Sequence, residues 1–178
     1  GWVREVAMER IDPYKCKERI QRWKEEAEQG IPDLTEANTR LVLAYVRDME
    51  QGRNIAKGTR KGGRSYVRLV ALKNKMLFIA RQVESRFGVQ DLTSITEDQA
   101  HELFASMRDG RILKTNGKIY RSTGDYVKIF RAFWHWHMKV QKKRGLEVPD
   151  ICTELDDHTE KPKWVYLSEE DLHRLCRE

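Results

Sequence analysis

The sequence predicts an all-helical protein, and three observations support this prediction. In five long segments the apolar residues recur at steps of three and four, the spacing of one helix face. Most of these segments begin at a Ser, Thr or Asp and end at a Gly, as helices do. No alternating run of β-branched residues predicts a strand. With 39% hydrophobic and 35% charged residues, the composition suits a packed helical core rather than a disordered chain.

The first two helices are predicted from their ends. One begins at Asp12-Pro13, an N-cap followed by a Pro at the first helical position, and ends before Gly30. Its apolar stripe consists of Cys16, Ile20, Trp23 and Ala27. This stripe packs either on the domain that follows or on a partner, and the sequence leaves both possibilities open. The second helix begins near Thr35 and ends at Gly52, with Val42, Tyr45, Val46 and Met49 on one face.

The third and fourth helices are predicted to have clear core faces, and the fourth is expected to have a structural role. The third runs from about Ser65 to Phe87 and ends at Gly88. Its buried positions are Leu69, Leu72, Met76, Ala80, Val83 and Phe87. The fourth is short and acidic, and Thr96 with Gln99 predicts a capping box at its start. Its core face consists of Ala100, Leu103, Phe104 and Met107.

A fifth helix, aromatic on one face and basic on another, is predicted from about Thr123 to Arg144. Ser122 is its expected N-cap, with Asp125 approximating a capping box, and Gly145 is its expected stop. The core face contains Val127, Phe130, Trp134 and Met138, and the solvated basic face contains Arg121, Lys128, His135, Lys139 and Lys142. His135 and His137 lie about 200° apart on a helix, so they are expected to have structural roles rather than to share a metal.

The distribution of charge predicts a binder of polyanions. The net charge of the chain is +6, but residues 57–86 carry +8 and residues 108–144 carry +9, whereas residues 87–107 between them carry −4. Two basic segments separated by an acidic helix are expected when two binding elements converge in space. The loop before the third helix adds Lys57, Arg60, Lys61 and Arg64 around three glycines. A flexible linker is the alternative interpretation of this loop.

Several classes of protein and site are not indicated. No apolar run is long enough for a membrane span, and the charged N-terminus is unlike a signal peptide, so a cytoplasmic, nucleoid-associated protein is expected. Cys16, Cys152 and Cys176 form no paired motif, so no zinc site is predicted. The chain contains no Gly-rich phosphate loop and no nucleophile elbow, so neither a cofactor nor an active site is expected.

Five stretches of the chain together resemble the N-terminal half of tyrosine-family site-specific recombinases, the phage and archaeal integrases. In chain order they are TEANTRLVLAYVRDMEQG, GRSYVRLVALKNKMLFIARQV, LTSITEDQAHELFASMRDG, YRSTGDYVKIFRAFWHWHMK and YLSEEDLHRLC. The resemblance covers about Pro32 to Glu178 and lies in order, spacing and pattern rather than in an invariant signature. It implies a SAM-like four-helix core-binding domain at 31–146, after an extra amphipathic helix within 1–30. A linker at 147–166 and the first helix of a truncated catalytic domain at 167–178 complete the predicted organisation.

The resemblance also implies a function, namely sequence-recognising binding of attachment-site DNA during site-specific recombination and DNA integration. In the family this domain forms one jaw of a clamp, and the matching elements here are Lys57 to Lys75 and Lys114 to Lys128. The predicted DNA-binding residues are Lys57, Arg60, Lys61, Arg64, Arg68, Lys75, Lys114, Lys118, Arg121, Ser122, Thr123 and Lys128. Arginine suits bidentate contacts to bases and lysine suits contacts to phosphates.

The expected partners are double-stranded DNA and other recombinase protomers, without a membrane. The family's catalytic Arg, Lys, His and Tyr would lie beyond Glu178, so this chain is expected not to cleave DNA, and neither Tyr120 nor Tyr126 matches the nucleophile. The alternative function is a helical protein-interaction module that uses the aromatic helix and the N-terminal stripe. Binding that depends steeply on salt would favour DNA over an apolar interface.

Overall fold

The computed structural model describes residues 13–55 and 62–158, and they confirm the all-helical prediction. The helices are α1 (Pro13–Gln29), α2 (Glu36–Gln51), α3 (Tyr66–Phe87), α4 (Glu97–Arg108) and α5 (Thr123–Lys143), with a 3-10 turn at Leu92–Ser94. Within these residues the only β-type pairing is a single antiparallel bridge between Leu113 and Ile119. The predicted helix at 167–178 lies outside the described residues.

Local capping chemistry sets most of the helix ends. The side chains of Thr35 and Ser65 accept hydrogen bonds from the first turns of α2 and α3. The predicted capping box of Thr96 and Gln99 is complete, with both reciprocal bonds formed. At Gly52 and Gly88 the backbone is left-handed, as expected for helix stops.

Helix α3 lies at the centre of the fold and packs against each of the other four helices. Its predicted core positions are buried, except that Phe87 is only partly covered. The stripe of α1 (Cys16, Ile20, Trp23 and Ala27) is buried in the same hydrophobic core. The choice left open by the sequence is therefore settled, because α1 packs on the helices that follow it.

The buried face of α5 is wider than its sequence pattern indicated. Val127, Phe130 and Trp134 are buried as predicted and Met138 is partly buried, but Ile129, Phe133, Trp136 and His137 are buried as well. Two members of the predicted solvated basic face, His135 and Lys139, are only half-exposed and have partners in the protein. His135 Nε2 lies 2.9 Å from Asp150 Oδ2, and Lys139 Nζ donates to the Ile55 carbonyl at 2.6 Å.

The two ends of α5 differ in how well the sequence predicted them. Ser122 immediately precedes the helix, but its side chain makes no capping hydrogen bond. The prediction that Ser122 caps α5 through its side chain is therefore wrong. Its backbone, with φ −103° and ψ 32°, is not in the extended conformation of a side-chain cap. At the other end, the amides of Gly145 and Leu146 donate to the carbonyls of Lys142 and Gln141, which is a Schellman motif.

The segment after α5 packs back on this helix. Ile151, Cys152 and Leu155 are buried, although the sequence there shows no periodicity. The indole of Trp134 donates to the Pro149 carbonyl at 2.9 Å, and Arg131 bonds both Asp157 and the Leu155 carbonyl at 2.6 Å. Over its described part, the predicted linker is thus fixed to α5. The division of the chain into two domains stays a prediction.

Candidate nucleic-acid interface

The first basic segment begins at the N-terminus of α3. Ser65 caps this helix by accepting from the Arg68 amide, and Arg64 lies just before it. Arg68 is exposed, and Arg64 is half-buried with its guanidinium 3.3 Å from the Gly62 carbonyl. A helix N-terminus carries partial positive charge, so it adds to the attraction of these two arginines for an anion.

The loop before α3 is closed at its base. The Arg64 amide donates to the Met49 carbonyl at 2.9 Å. A Cβ on Gly63 would lie 2.2 Å from the Glu50 carbonyl oxygen, and one on Gly52 would lie 2.6 Å from the Gly62 carbonyl carbon. Glycine is therefore required where the two ends of the loop cross. The predicted DNA-binding residues Lys57, Arg60 and Lys61, between these ends, lie outside the described residues.

The second basic segment begins in a hairpin that connects α4 to α5. Leu113 and Ile119 form the bridge, and the Lys114 amide donates to the Lys118 carbonyl at 2.9 Å. The turn closes because the Gly117 amide donates to the Lys114 carbonyl while Gly117 has a φ of +79°. A left-handed Gly in this position is typical of three-residue hairpin loops. Lys114 and Lys118 are both exposed.

An aromatic cluster joins the two basic segments. It consists of Phe78 on α3, Tyr120 after the hairpin and Tyr126 on α5, with ring centroids 5.3–5.5 Å apart. Lys75 Nζ lies 5.3 Å from the centroid of the Tyr126 ring, and Lys114 Nζ lies 5.7 Å from that of Tyr120. Each lysine therefore lies over the electron-rich face of a tyrosine. The cluster holds cations from distant parts of the sequence on one surface.

The pKa of Lys75 is influenced by cations from both basic segments. Burial lowers the pKa, the nearby carboxylate of Asp125 partly opposes the shift, and the positive charges of Arg68 and Lys114 lower it further. Arg68 and Lys114 thus each lie within electrostatic range of Lys75. We call the surface formed by Arg64, Arg68, Lys75, Lys114, Lys118 and Arg121 the basic surface.

The other predicted site residues are placed differently. Arg121 is exposed and Ser122 is half-exposed, next to the hairpin in sequence. Thr123 is buried, and its hydroxyl donates to the Tyr120 carbonyl at 3.1 Å, so it supports the start of α5 rather than facing a ligand. Lys128 is exposed. Arg131 is the main cause of the lowered pKa of Asp157, and the charge of Lys128 makes a smaller contribution, so Lys128 lies near the C-terminal segment.

Sequence reasoning missed the aromatic cluster and the hairpin. Asn116-Gly117 between two lysines is a turn signal that could have indicated the hairpin. The roles of Phe78, Tyr120 and Tyr126 had no such local signal. Their contact depends on how α3 packs beside α5, which periodicity within a single helix does not determine.

One group of side chains in the described part of the chain could hold a metal ion. It consists of Glu97 and His101, one turn apart on α4, and Glu154 from the C-terminal segment. Their potential ligand atoms lie within 4.8 Å of one another, and all three side chains are at least partly exposed to solvent. The group lies outside the basic surface.

Comparisons with known proteins do not assign the chain to a family. Neither the family models, nor the curated proteins, nor the solved structures contain a match to this chain. Among the described helices, none combines the length and apolar character that crossing a membrane requires.

Proposed function

We propose that this chain is a DNA-binding domain of the tyrosine-recombinase type that grips double-stranded DNA through its basic surface. The observation that carries the proposal is the meeting of the two basic segments at the aromatic cluster. Lys75 and Lys114 are far apart in the sequence, yet each lies over a ring of the same cluster. Convergent positive charge from separate elements is the expected footprint of a polyanion site.

The availability of these cations supports the proposal. Arg40, Arg47, Arg111 and Arg131 each pair with a carboxylate in the structure. In contrast, Arg68, Lys75, Lys114, Lys118 and Arg121 form no ion pair with another described residue. Unneutralised cations can each release a counterion from a phosphate when DNA binds.

The protein-interaction alternative loses support because the surfaces that it required are buried. The stripe of α1 packs in the common core, and most of the aromatic face of α5 packs there as well. Of the large apolar side chains in the described residues, only Leu113, Ile119 and Leu146 are exposed. Two of these three lie on the hairpin beside the lysines of the basic surface.

Binding without cleavage is the second part of the proposal. Tyr126 is buried enough to raise its pKa to about 12, and burial also raises the pKa of Tyr120. A raised pKa opposes formation of the phenolate that a nucleophilic tyrosine needs. Because no stretch of the chain was matched to the family's catalytic residues, we expect incubation with supercoiled plasmid to leave the DNA uncut and to produce no covalent protein–DNA adduct on a denaturing gel.

The salt dependence of binding tests the main proposal. Fluorescence anisotropy with a labelled 30-base-pair duplex should give log K that falls linearly with log salt. Neutralisation of about 5 phosphates predicts a slope near −4 to −5. The charge-reversal variant Arg68→Glu should reduce affinity at low salt at least tenfold, whereas Arg40→Glu, on the exposed side of α2, should not. Undetectable binding, or a slope near zero, would refute the proposal.

A further inference from the structure

The hairpin between α4 and α5 exposes two aliphatic side chains at the end of the basic surface. Leu113 and Ile119 are 48% and 49% exposed, and they face each other across the antiparallel bridge. Isolated exposed aliphatic residues are common, but these two form a cross-strand pair on one hairpin. The fold does not cover this pair, although covering it would be favourable in a protein that functions alone.

The hairpin is held rigidly enough to present this pair. Ile112 is buried, and its amide donates to the Ser106 carbonyl at 2.9 Å at one end. At the other end Tyr120 packs into the aromatic cluster. Gly110 lies beneath Ile119, where a Cβ would come within 3.3 Å of Ile119 Cγ1. The turn is closed by three further bonds, including that from the Lys118 amide to Asn116 Oδ1 at 3.0 Å.

The positive charge around the Leu113–Ile119 pair indicates an anionic partner. Between Ile112 and Gly124 the chain contains Lys114, Lys118 and Arg121 and no Asp or Glu. An aliphatic tip flanked by cations complements duplex DNA, in which phosphates border each groove. Apolar wedges of Leu, Ile or Phe that partly unstack base steps are a known mode of minor-groove binding. A partner protein with an apolar patch would gain nothing from these lysines unless it were also acidic.

The spacing along the basic surface agrees with contact to two successive grooves. Helix α3 begins at Tyr66, nine residues before Lys75, which corresponds to about 14 Å along the helix axis. This length is comparable to half of the DNA helical repeat of about 34 Å, the separation between neighbouring major and minor grooves on one face. If the N-terminus of α3 contacts one groove, the hairpin beside Lys75 reaches the next.

We propose that the Leu113–Ile119 pair is a minor-groove wedge that enters duplex DNA between the phosphates held by Lys114 and Lys118 and bends it. This inference rests on the proposed DNA binding and specifies how one part of the basic surface works. The bend is expected at flexible pyrimidine–purine steps, because they unstack at the lowest cost.

The test measures bending and affinity separately with the full 178-residue chain. The DNA is a 30-base-pair A/T-rich duplex with central TA steps, carrying a donor and an acceptor dye at its ends. Wild type should increase energy transfer on binding. The double variant Leu113→Ser, Ile119→Ser should lose that increase, while its affinity falls less than tenfold and its salt slope stays unchanged.

Two further variants make the outcome specific. Leu146→Ser alters an aliphatic residue that is also exposed but lies after α5, and it should bend DNA as wild type does. Lys114→Ala should weaken binding and reduce the salt slope by about one unit. Thermal melting followed by circular dichroism should show that every variant is folded.

The contrary outcomes are distinguishable. If wild type binds without a change in energy transfer, or if the double serine variant bends DNA normally, the wedge is refuted and DNA binding stands. If sedimentation shows that the double variant abolishes self-association while bending is unaffected, the pair is a protein interface, which also refutes the wedge. If wild type does not bind DNA, the proposed function fails as well.

Discussion

At the scale of single residues, Asn38 connects three parts of the fold through its buried side chain. Its Nδ2 donates to Glu84 Oε2 on α3 at 2.6 Å, and its Oδ1 accepts from the Leu92 amide at 2.7 Å. Asn38→Ala leaves the Leu92 amide of a buried residue without its acceptor and removes one bond to Glu84, which keeps its bonds from Thr35. We therefore expect a loss of about 1–3 kcal/mol in the free energy of unfolding. Urea unfolding at pH 7 measures this loss.

A second substitution at this position separates hydrogen bonding from packing. Asn38→Asp keeps the acceptor for Leu92 but places a carboxylate beside Glu84. Like charges raise the pKa of the introduced carboxyl in the folded state, so stability should be lost as the pH rises and regained as it falls. A variant whose stability relative to wild type is independent of pH would show that the Asn38–Glu84 contact is unimportant.

Lys73 is a buried residue whose charge opposes folding. It is 7% exposed between α1 and α3, with Nζ 5.8 Å from the centroid of the Trp23 ring, and burial lowers its pKa to about 8. Between about pH 8 and its ordinary value of 10.5, the unfolded chain holds the proton more strongly. The free energy of unfolding contributed by this group therefore rises with pH across that window.

Lys73→Met should accordingly stabilise the protein at pH 7, because it removes a desolvated charge and keeps most of the side-chain volume. We expect a higher thermal midpoint than wild type at pH 7 and a smaller difference at pH 10. Lys128→Met, at an exposed lysine on α5, is the control and should change little. A lower midpoint for Lys73→Met at pH 7 would mean that the contact with Trp23 outweighs the cost of burial.

At the scale of elements, the base of the loop before α3 depends on a steric requirement. The Cβ of Gly63→Ala would collide with the Glu50 carbonyl oxygen, so α2 and the start of α3 would have to separate. We expect a destabilisation of about 2 kcal/mol or more. Gly62→Ala is the control: its φ of +97° costs about 1 kcal/mol, but nothing lies within 4 Å of its Cβ. Equal losses in chemical unfolding would contradict the role of the collision.

Arg131 fixes the C-terminal segment to α5. Its guanidinium holds the pKa of Asp157 below the usual range and also bonds the Leu155 carbonyl. A lowered carboxyl pKa means that the contact is formed above the ordinary Asp pKa and lost as the pH falls through the folded-state value. Arg131→Met should therefore accelerate hydrogen exchange in residues 152–157 at pH 7. In wild type, acid should lower the protection of the same amides relative to their intrinsic exchange rate at that pH. Unaltered exchange in this variant would show that Ile151 and Leu155 hold the segment alone.

The elements also show which features a sequence can predict. Thr35, Thr96 and Gly145 act within a few residues of themselves, so the ends of α2, α4 and α5 could be predicted closely. The prediction of an N-cap at Ser122 was wrong because the turn before α5 is closed by other groups, notably the Thr123 hydroxyl and the Tyr120 carbonyl. The wide burial of α5 depends on tertiary packing, because Phe133 and Trp136 contact Tyr45 of α2. The segment from Leu146 to His158 also packs on α5, and it has no periodicity to indicate its position.

At the scale of the whole molecule, α3 brings the basic surface together while it forms the centre of the core. One side of this helix packs on its four neighbours, and another carries Arg68 and Lys75. The charge distribution predicted that two basic segments would converge. It could not predict that Lys128, in the second segment, lies near Asp157 of the C-terminal segment.

The position of Lys128 leads to a prediction about which lysines neutralise DNA phosphates. Each lysine that neutralises a phosphate should contribute about one unit to the salt slope. Lys114→Ala and Lys118→Ala should each reduce the slope by about one unit and weaken binding on all DNA sequences. Lys128→Ala should leave both quantities nearly unchanged, because Lys128 is near the acidic C-terminal segment. Anisotropy titrations at four salt concentrations, with each variant's melting curve, provide the comparison. If Lys128→Ala matches the hairpin variants, the DNA must extend along the whole first half of α5, and the basic surface as defined here is too small.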